Sequence, residues 1–468
     1  MGLFKTILDI RKGERTRTLL MFLYFFIIIA SYWFLKPARS ALTVKNISAD
    51  PIPALRVVSA LLLSVVVIGY SVAVTRFNRE RLAYLIIGAF FWFIAFFAFA
   101  FHQFEGSALL YYSFYVFLDL FITINVALFW TFLADISSTD SAHRLYGIIG
   151  AGGVLGGFFG SFSNKSIEAV TGPGTMMLIV LAGYGLLFFV IWGVSRRVGG
   201  ALRDRRPIVE ASRSRLAEAV EGARTVVRSP YFLGICFLLA SYEFISTVND
   251  FCFHKAVDIT FHRDGTIMSL FGTFLAWLDG LTGADITGGL EGLFGLAMNR
   301  GTLGSFFSEF FLLMNIVATL VQLVLTPLII RRLGLTAALL VLPVLLLCLS
   351  TGFFIVPFLV TAEVLYLADN ALNYSINQTS REMLFVPVPR KDKYKTLAFI
   401  DMFVLRTAKA VAGIAMLSLQ AFFVINSIED LRWYMTMTVV LAAIWIVLAV
   451  YLGRRYQRFR RGDSDAMS

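Results

Sequence analysis

The sequence predicts an all-α polytopic membrane protein, with about twelve transmembrane helices in two groups of six. Three observations carry this reading. The 468 residues are 58% hydrophobic and only 15% charged, where a soluble domain carries about 25%, and a mean hydropathy of +0.77 excludes a single water-soluble fold. Apolar runs recur along the whole chain, each near the roughly 20 residues that a bilayer-crossing helix needs. Between the runs, Lys and Arg gather at alternate loops, as the positive-inside rule requires.

The runs fall at 19–36, 55–76, 82–101, 109–135, 145–170 and 176–194, and after a polar gap at 230–253, 305–330, 335–356, 358–380, 396–424 and 433–452. They are referred to below as the first to twelfth spans. The chain thus divides into an N-terminal six-helix half (1–194), a basic cytoplasmic linker (195–229), a C-terminal six-helix half (230–452) and a basic cytoplasmic tail (453–468). The first run follows a mixed-charge stretch, RKGERTRT, and leads into further spans, which argues against a cleaved signal peptide. With the N-terminus inside, 30 of the 41 Lys and Arg lie on the inner side, nine on the outer, and two within the eleventh span. This places both termini in the cytoplasm, on a multi-pass protein of the inner membrane. It also accounts for the net charge of +11 through basic inner loops beside anionic membrane lipid, with no nucleic-acid partner. The nine arginines from Arg196 to Arg228 fit a solvated linker with an amphipathic segment better than an electrostatic clamp on the inner leaflet. Short basic turns, TRFNRERL after the second span and IIRRLGL after the eighth, repeat across the halves, a feature of major facilitator-like architecture. The Gly-rich stretch 261–304 is expected as an extracytoplasmic insertion in the C-terminal half.

Cys236, Cys252 and Cys348 lie far apart and the four histidines are scattered, so neither a disulfide framework nor a metal site is signalled. The informative residues are charges within apolar runs, which are costly unless they pair or face water. The first span ends SYWFLKPARS, with Tyr32, Lys36 and Arg39 at i, i+4 and i+7. They share one face if the helix continues through Pro37. Two cations and a phenol on one face suit phosphate oxygens; the alternative is snorkelling at the outer interface. Asp119 is a lone carboxylate in the fourth span and needs a cation from another helix. In the seventh span Glu243, Ser246, Thr247, Asp250 and His254 form a polar stripe, and in the tenth Glu363, Asn370, Tyr374, Asn377 and Arg381 do the same. The second stripe also suits hydrogen bonding between the halves. The eleventh span holds Asp401, Arg406 and Lys409. Those two cations exceed what Asp401 can neutralise, so they need acidic partners, with Asp119, Asp250 and Glu363 as candidates, or an anionic substrate.

In the fifth span, Gly152, Gly156 and Gly160 recur every fourth residue within GIIGAGGVLGGFFGS. No strand precedes this run, so a dinucleotide fingerprint is excluded and close helix packing is expected. No Walker A, HExxH or nucleophile-elbow sequence occurs. No enzyme, catalytic residue or cofactor is therefore expected.

The stretch SYWFLKPARSALTV resembles the nucleotide transporter (ATP/ADP translocase) family of intracellular bacteria and plastids, whose first span ends Asn-Tyr-x-x-Leu-Arg-Asp-x-Lys-Asp. Tyr32 and Leu35 match, and Lys36 and Arg39 keep the charge with the two basic types exchanged. Asp119 in FYVFLDL stands at the family's Glu in Phe-Tyr-x-x-x-Glu-Leu, and Asp250 corresponds by spacing to a seventh-span Glu. NYSINQTSREMLFVP is similar to Lys-Tyr-Ser-x-x-Asp-x-x-Lys-Glu-Met-x-Tyr-x-Pro through Tyr374, Ser375, Glu382, Met383 and Pro387, with Arg381 keeping the charge. FIDMFVLRTAKAVAG keeps the family's Ile400, Asp401, Arg406 and Lys409 positions. Asn373 replaces a Lys and Gln378 an Asp, and TLAFID lacks the usual Gly-Lys, so the chain resembles a divergent member.

The resemblance implies a secondary transporter exchanging nucleotides of the ATP/ADP type by alternating access. Tyr32, Lys36, Arg39, Asp119, Asp250, Asn370, Tyr374, Arg381, Asp401, Arg406 and Lys409 form the expected substrate-binding set. Lys36, Arg39, Arg406 and Lys409 would contact phosphates, Asp119 and Asp250 would hold those cations in the empty site, and Tyr32 or Tyr374 would stack on the base. The alternatives are a carrier of another organic anion, driven by protons through Asp119 or Asp250, and a non-transporting sensor or scaffold. A monomer is compatible with the sequence, which carries no signal of oligomeric state.

Overall fold

The computed structural model describes residue 11 and residues 14–460, except 138, 169–170, 205–214, 266, 268–278, 281, 284, 286–301, 387 and 389. Most of the expected insertion at 261–304, part of the linker and the end of the basic tail lie outside the described residues.

Among the described residues every long element is helical, and ten helices are long and apolar enough to cross a membrane. Two facts relate ten to twelve. The run Leu303–Ile355 counts once, yet it bends at Gly334 (φ 81°, ψ 178°), which separates the eighth and ninth spans in the left-handed region that glycine alone enters without cost. The tenth span, Leu359–Leu372 continued by Asn373–Asn377 and Gln378–Leu384, is too polar to be counted.

The helices are longer than the apolar runs. The first extends over Arg15–Ile47, unbroken at Pro37, and stops where Ser48 takes a positive φ of 61°. The seventh extends over Pro230–Asp264 and ends on Gly265 in the left-handed conformation. In a bilayer a broken backbone would leave N–H and C=O groups without partners, so helices continue until water or a special residue ends them. The amphipathic segment of the linker is a helix, Arg215–Arg228.

Three single-turn π-helices interrupt the regular spans, at Val321–Leu325 in the eighth, Asn373–Asn377 in the tenth and Ile400–Val404 in the eleventh. Such turns insert a residue, rotate everything after them, and concentrate at functional sites. Two of the three coincide with the segments NYSIN and IDMFV.

The chain forms two compact units. Unit 1 comprises Met1–Asn46, Val72–Ser212 and Phe271–Leu312; unit 2 comprises Ile47–Ser71, Arg213–Leu270 and Leu313–Ser468. This partition differs from the division of the sequence into two six-span halves, because most of the second span belongs to unit 2 and the start of the eighth to unit 1.

In unit 1 the fifth-span glycines pack on the backbone of the first span. A Cβ on Gly152 would lie 2.5 Å from the Phe22 carbonyl oxygen, one on Gly156 2.6 Å from that of Phe26, and one on Gly160 would strike that of Ala30. The glycines let two backbones approach, as the every-fourth spacing anticipates. Because backbone cannot rotate away, Gly156→Leu is expected to destabilise the protein by about 1–3 kcal/mol. Gly147→Ala, where the added carbon meets nothing within 4 Å, should be tolerated. Thermal unfolding of the two variants in detergent checks this; equal melting temperatures would refute it.

Candidate functional site

Unit 1 holds the first-span cluster. Because the helix continues through Pro37, Tyr32, Lys36 and Arg39 lie on successive turns, and Lys36 and Arg39 are only 4% and 2% exposed. They are buried rather than snorkelling. The Lys36 ammonium sits 4.4 Å from the Trp33 ring centroid, 4.6 Å from that of Phe311 and 5.9 Å from that of Tyr32. Ring faces attract a cation without neutralising it. Arg39 donates from Nη1 to Asp119 Oδ1 at 2.7 Å, and its guanidinium lies 4.3 Å from the Tyr115 ring centroid. Tyr115 and Asp119 are four residues apart on the fourth span, so one helical face presents both a ring and a carboxylate to the same cation. The lone carboxylate of the fourth span thus finds its cation on the first.

Unit 2 holds the remaining expected residues. Asp250 is buried and heavily engaged: Arg56 Nη2 donates to Oδ2 at 2.6 Å and the Tyr366 hydroxyl donates to Oδ1 at 2.8 Å. His254 Nδ1 lies 3.7 Å from Oδ1. Asp250 thus pairs with Arg56 of the second span. Lys409 pairs with Glu243 at 3.3 Å, another member of the seventh-span stripe. Arg406 is half-buried one turn away, and Asp401 is exposed within the π-turn Ile400–Val404.

The tenth-span stripe is buried at Glu363, Asn370 and Asn377 and exposed at Tyr374. The Asn370 amide donates to the Tyr366 carbonyl at 2.9 Å. Tyr374 is 51% exposed, and Arg381 is half-exposed in the last turn of Gln378–Leu384. The π-turn beginning at Asn373 adds a residue and rotates the face, which a constant 3.6-residue period does not anticipate.

Several charged groups escaped the sequence reading. Lys165 and Glu309, each 3% exposed, pair at 3.2 Å in unit 1. Beside Lys165, the Asn164 amide donates to the Phe34 carbonyl at 2.6 Å. In unit 2, Lys255 pairs with Asp50 at 2.7 Å and Asp258 at 3.3 Å, while the Ala49 amide donates to Asp258. The signal for Arg56, Lys165 and Glu309 was present, since each is a charge within an apolar run. Asp369, fully buried beside Asn370, lies off the stripe spacing. A cleft of about 410 Å³ in unit 2, lined by Phe237, Phe244, Phe403 and Val411, carries no charged side chain and offers nothing to hold an anion. Among the described residues no group of His, Cys, Asp and Glu is arranged to hold a metal.

A sequence profile described as TLC ATP/ADP transporter matches residues 1–106 and 106–284. The chain is 21% identical to ADP,ATP carrier protein 1 of Chlamydia muridarum (strain MoPn / Nigg), over 96% of this chain and 90% of that protein. Among solved structures it is similar to a mutant of the nucleoside transporter NupG (TM-score 0.57, 14% identity, 93% of this chain and 98% of that one). It is likewise similar to a bacterial homolog of the human lysosomal transporter Spinster (TM-score 0.57, 12% identity, 96% and 99%). At these identities the structural likeness establishes the fold, a major facilitator-like helical bundle.

Proposed function

The chain belongs to the TLC ATP/ADP transporter family, and from that premise we propose that it exchanges nucleotides of the ATP/ADP type across a membrane by alternating access. It is a multi-pass membrane protein and a secondary transporter. The inner membrane, with both termini in the cytoplasm, is the placement that the distribution of Lys and Arg supports.

The observation that carries the substrate reading is the buried first-span pair. Lys36 and Arg39 stand at the family's two basic positions and are held by rings and one carboxylate. Two buried cations one turn apart, Lys36 over aromatic rings and Arg39 on the Asp119 carboxylate, place positive charge where phosphate oxygens can compete for it. We assign phosphate contacts to Lys36 and Arg39 in unit 1 and to Arg406 and Lys409 in unit 2. Asp119 holds Arg39, and Glu243 holds Lys409, until phosphate oxygens compete for them. The half-exposed ring of Tyr374 is the candidate for stacking on the base, with Tyr32 the alternative. Asp250 acts through Arg56 and Tyr366, as a positioning group.

Uptake of labelled ATP into liposomes preloaded with ADP tests the reading, and no uptake or counter-exchange with any nucleotide would overturn it. Lys36→Gln is expected to raise KM about tenfold, the loss of roughly 1.4 kcal/mol from one charged contact, with the folded yield preserved. An unchanged KM would remove Lys36 from the phosphate site. A different organic anion is the second reading, favoured by Asn373 and Gln378 at positions the family fills with Lys and Asp. Uptake of such an anion that ignores internal nucleotide would select it.

A further inference from the structure

Unit 2 contains one carboxylate that none of the assignments above uses. Asp369, in Leu359–Leu372 of the tenth span, has no solvent exposure. Its Oδ2 accepts a long hydrogen bond from the Asn249 amide at 3.4 Å, and its Oδ1 has no hydrogen-bond partner. The Asn249 carbonyl oxygen in turn accepts from the Thr438 hydroxyl at 3.3 Å, which fixes the amide with its NH2 toward Asp369. Ser246, one turn before Asn249, contributes a further hydroxyl.

The charges around this group have the wrong sign to hold it ionised. From the seventh span Glu243 and Asp250 face it, together with the Tyr242 phenol, and Tyr374 faces that same phenol from the tenth. Each neighbouring carboxylate already has its own cation, Lys409 for Glu243 and Arg56 for Asp250. Among the described residues no Lys, Arg or His lies within ion-pair distance of Asp369. A buried anion beside two others, held only by the Ser246 hydroxyl and a long bond from the Asn249 amide, costs several kcal/mol, and a proton removes that cost.

We propose that Asp369 is a proton-carrying site that couples nucleotide movement to a proton. In the substrate-free protein the carboxyl holds the proton on one oxygen. When a phosphate takes Lys409 from Glu243, the negative charge of Glu243 is left facing Asp369, so the proton is retained while substrate is bound. When the phosphate leaves on the alkaline side and Lys409 returns to Glu243, the O–H bond breaks more readily than with substrate bound, and the proton passes to the alkaline water; at neutral pH the empty site keeps it. Substrate and proton therefore stabilise one another's binding, as linkage requires, and travel together. No bond other than O–H is made or broken. The proposal rests on the nucleotide-transport reading for its cargo, but its proton site is testable apart from it.

The experiment uses the full chain in liposomes with the membrane potential clamped. A gradient of one pH unit, alkaline inside, is expected to drive net ATP accumulation about tenfold over an equal-pH control, with alkaline-side acidification reported by an internal pH dye. Asp369→Asn should lose that response while still exchanging ATP for ADP at a measurable rate. Infrared spectra of the substrate-free protein at neutral pH should contain a protonated-carboxyl band that Asp369→Asn removes. ATP exchange by the unaltered protein with no proton movement would overturn the coupling and leave the nucleotide reading standing. No nucleotide movement in either mode would overturn the nucleotide reading, and the infrared comparison then decides the proton site alone. A variant that does not fold still leaves the gradient and dye measurements on the unaltered protein decisive.

Discussion

Asp119→Ala is expected to cost the protein about 3–5 kcal/mol, the usual penalty for leaving one partner of a buried ion pair without the other. Arg39 is 2% exposed and Asp119 accepts from it at 2.7 Å. With the carboxylate gone, the guanidinium keeps the Tyr115 face as a stabilising contact, and a ring face supplies only about 1–2 kcal/mol. The folded yield from membranes and the melting temperature should both fall sharply. The informative comparison is the double variant Arg39→Met with Asp119→Leu. Replacing a whole buried pair by apolar groups is often neutral for stability, so this protein should fold yet fail to transport if Arg39 contacts phosphate. A double variant that folds and transports normally would assign the pair a purely structural role.

Removal of the carboxylate in Glu309→Ala should be as damaging, again by about 3–5 kcal/mol, since Glu309 and Lys165 are each 3% exposed and 3.2 Å apart. Here the partners come from the eighth and fifth spans, and the pair holds the segment ending at Leu312 within unit 1. Exchange of the two charges, Lys165→Glu with Glu309→Lys, should recover much of the melting temperature lost in either single variant, because the Coulomb attraction survives the exchange. A double variant no more stable than the singles would show that the hydrogen bonds around each group, rather than the charge pair, decide its stability.

Twelve spans were legible because the bilayer imposes a length and a composition that apolar runs reveal directly, and the glycine seam because spacing by four is a property of any helix. The cations of the first span were legible as exceptions to apolarity. Their partners were not, with one exception. The need of Asp119 for a cation on another helix could be read from its isolation, and Arg39 supplies it from 80 residues away. For Asp250, the partner Arg56 lies 194 residues away on the second span, where it reads as one more residue at the outer end of an apolar run. Within the tenth-span stripe Tyr374 alone turns clearly outward, in the π-turn Asn373–Asn377, and nothing in NYSIN announces the extra residue in its hydrogen bonding.

The sequence by itself determined that this chain crosses a membrane repeatedly and which residues match the transporter family. These follow from local composition and periodicity, which do not depend on what packs against what. The tertiary structure alone decided that most of the second span belongs with unit 2 and the start of the eighth with unit 1. It also decided which carboxylates meet which cations and, among the described residues, left Asp369 without one. Those outcomes depend on proximity between distant segments. In a low-dielectric interior, a charge meeting its opposite within 3–4 Å is the difference between a stable pair and a group whose burial is not repaid.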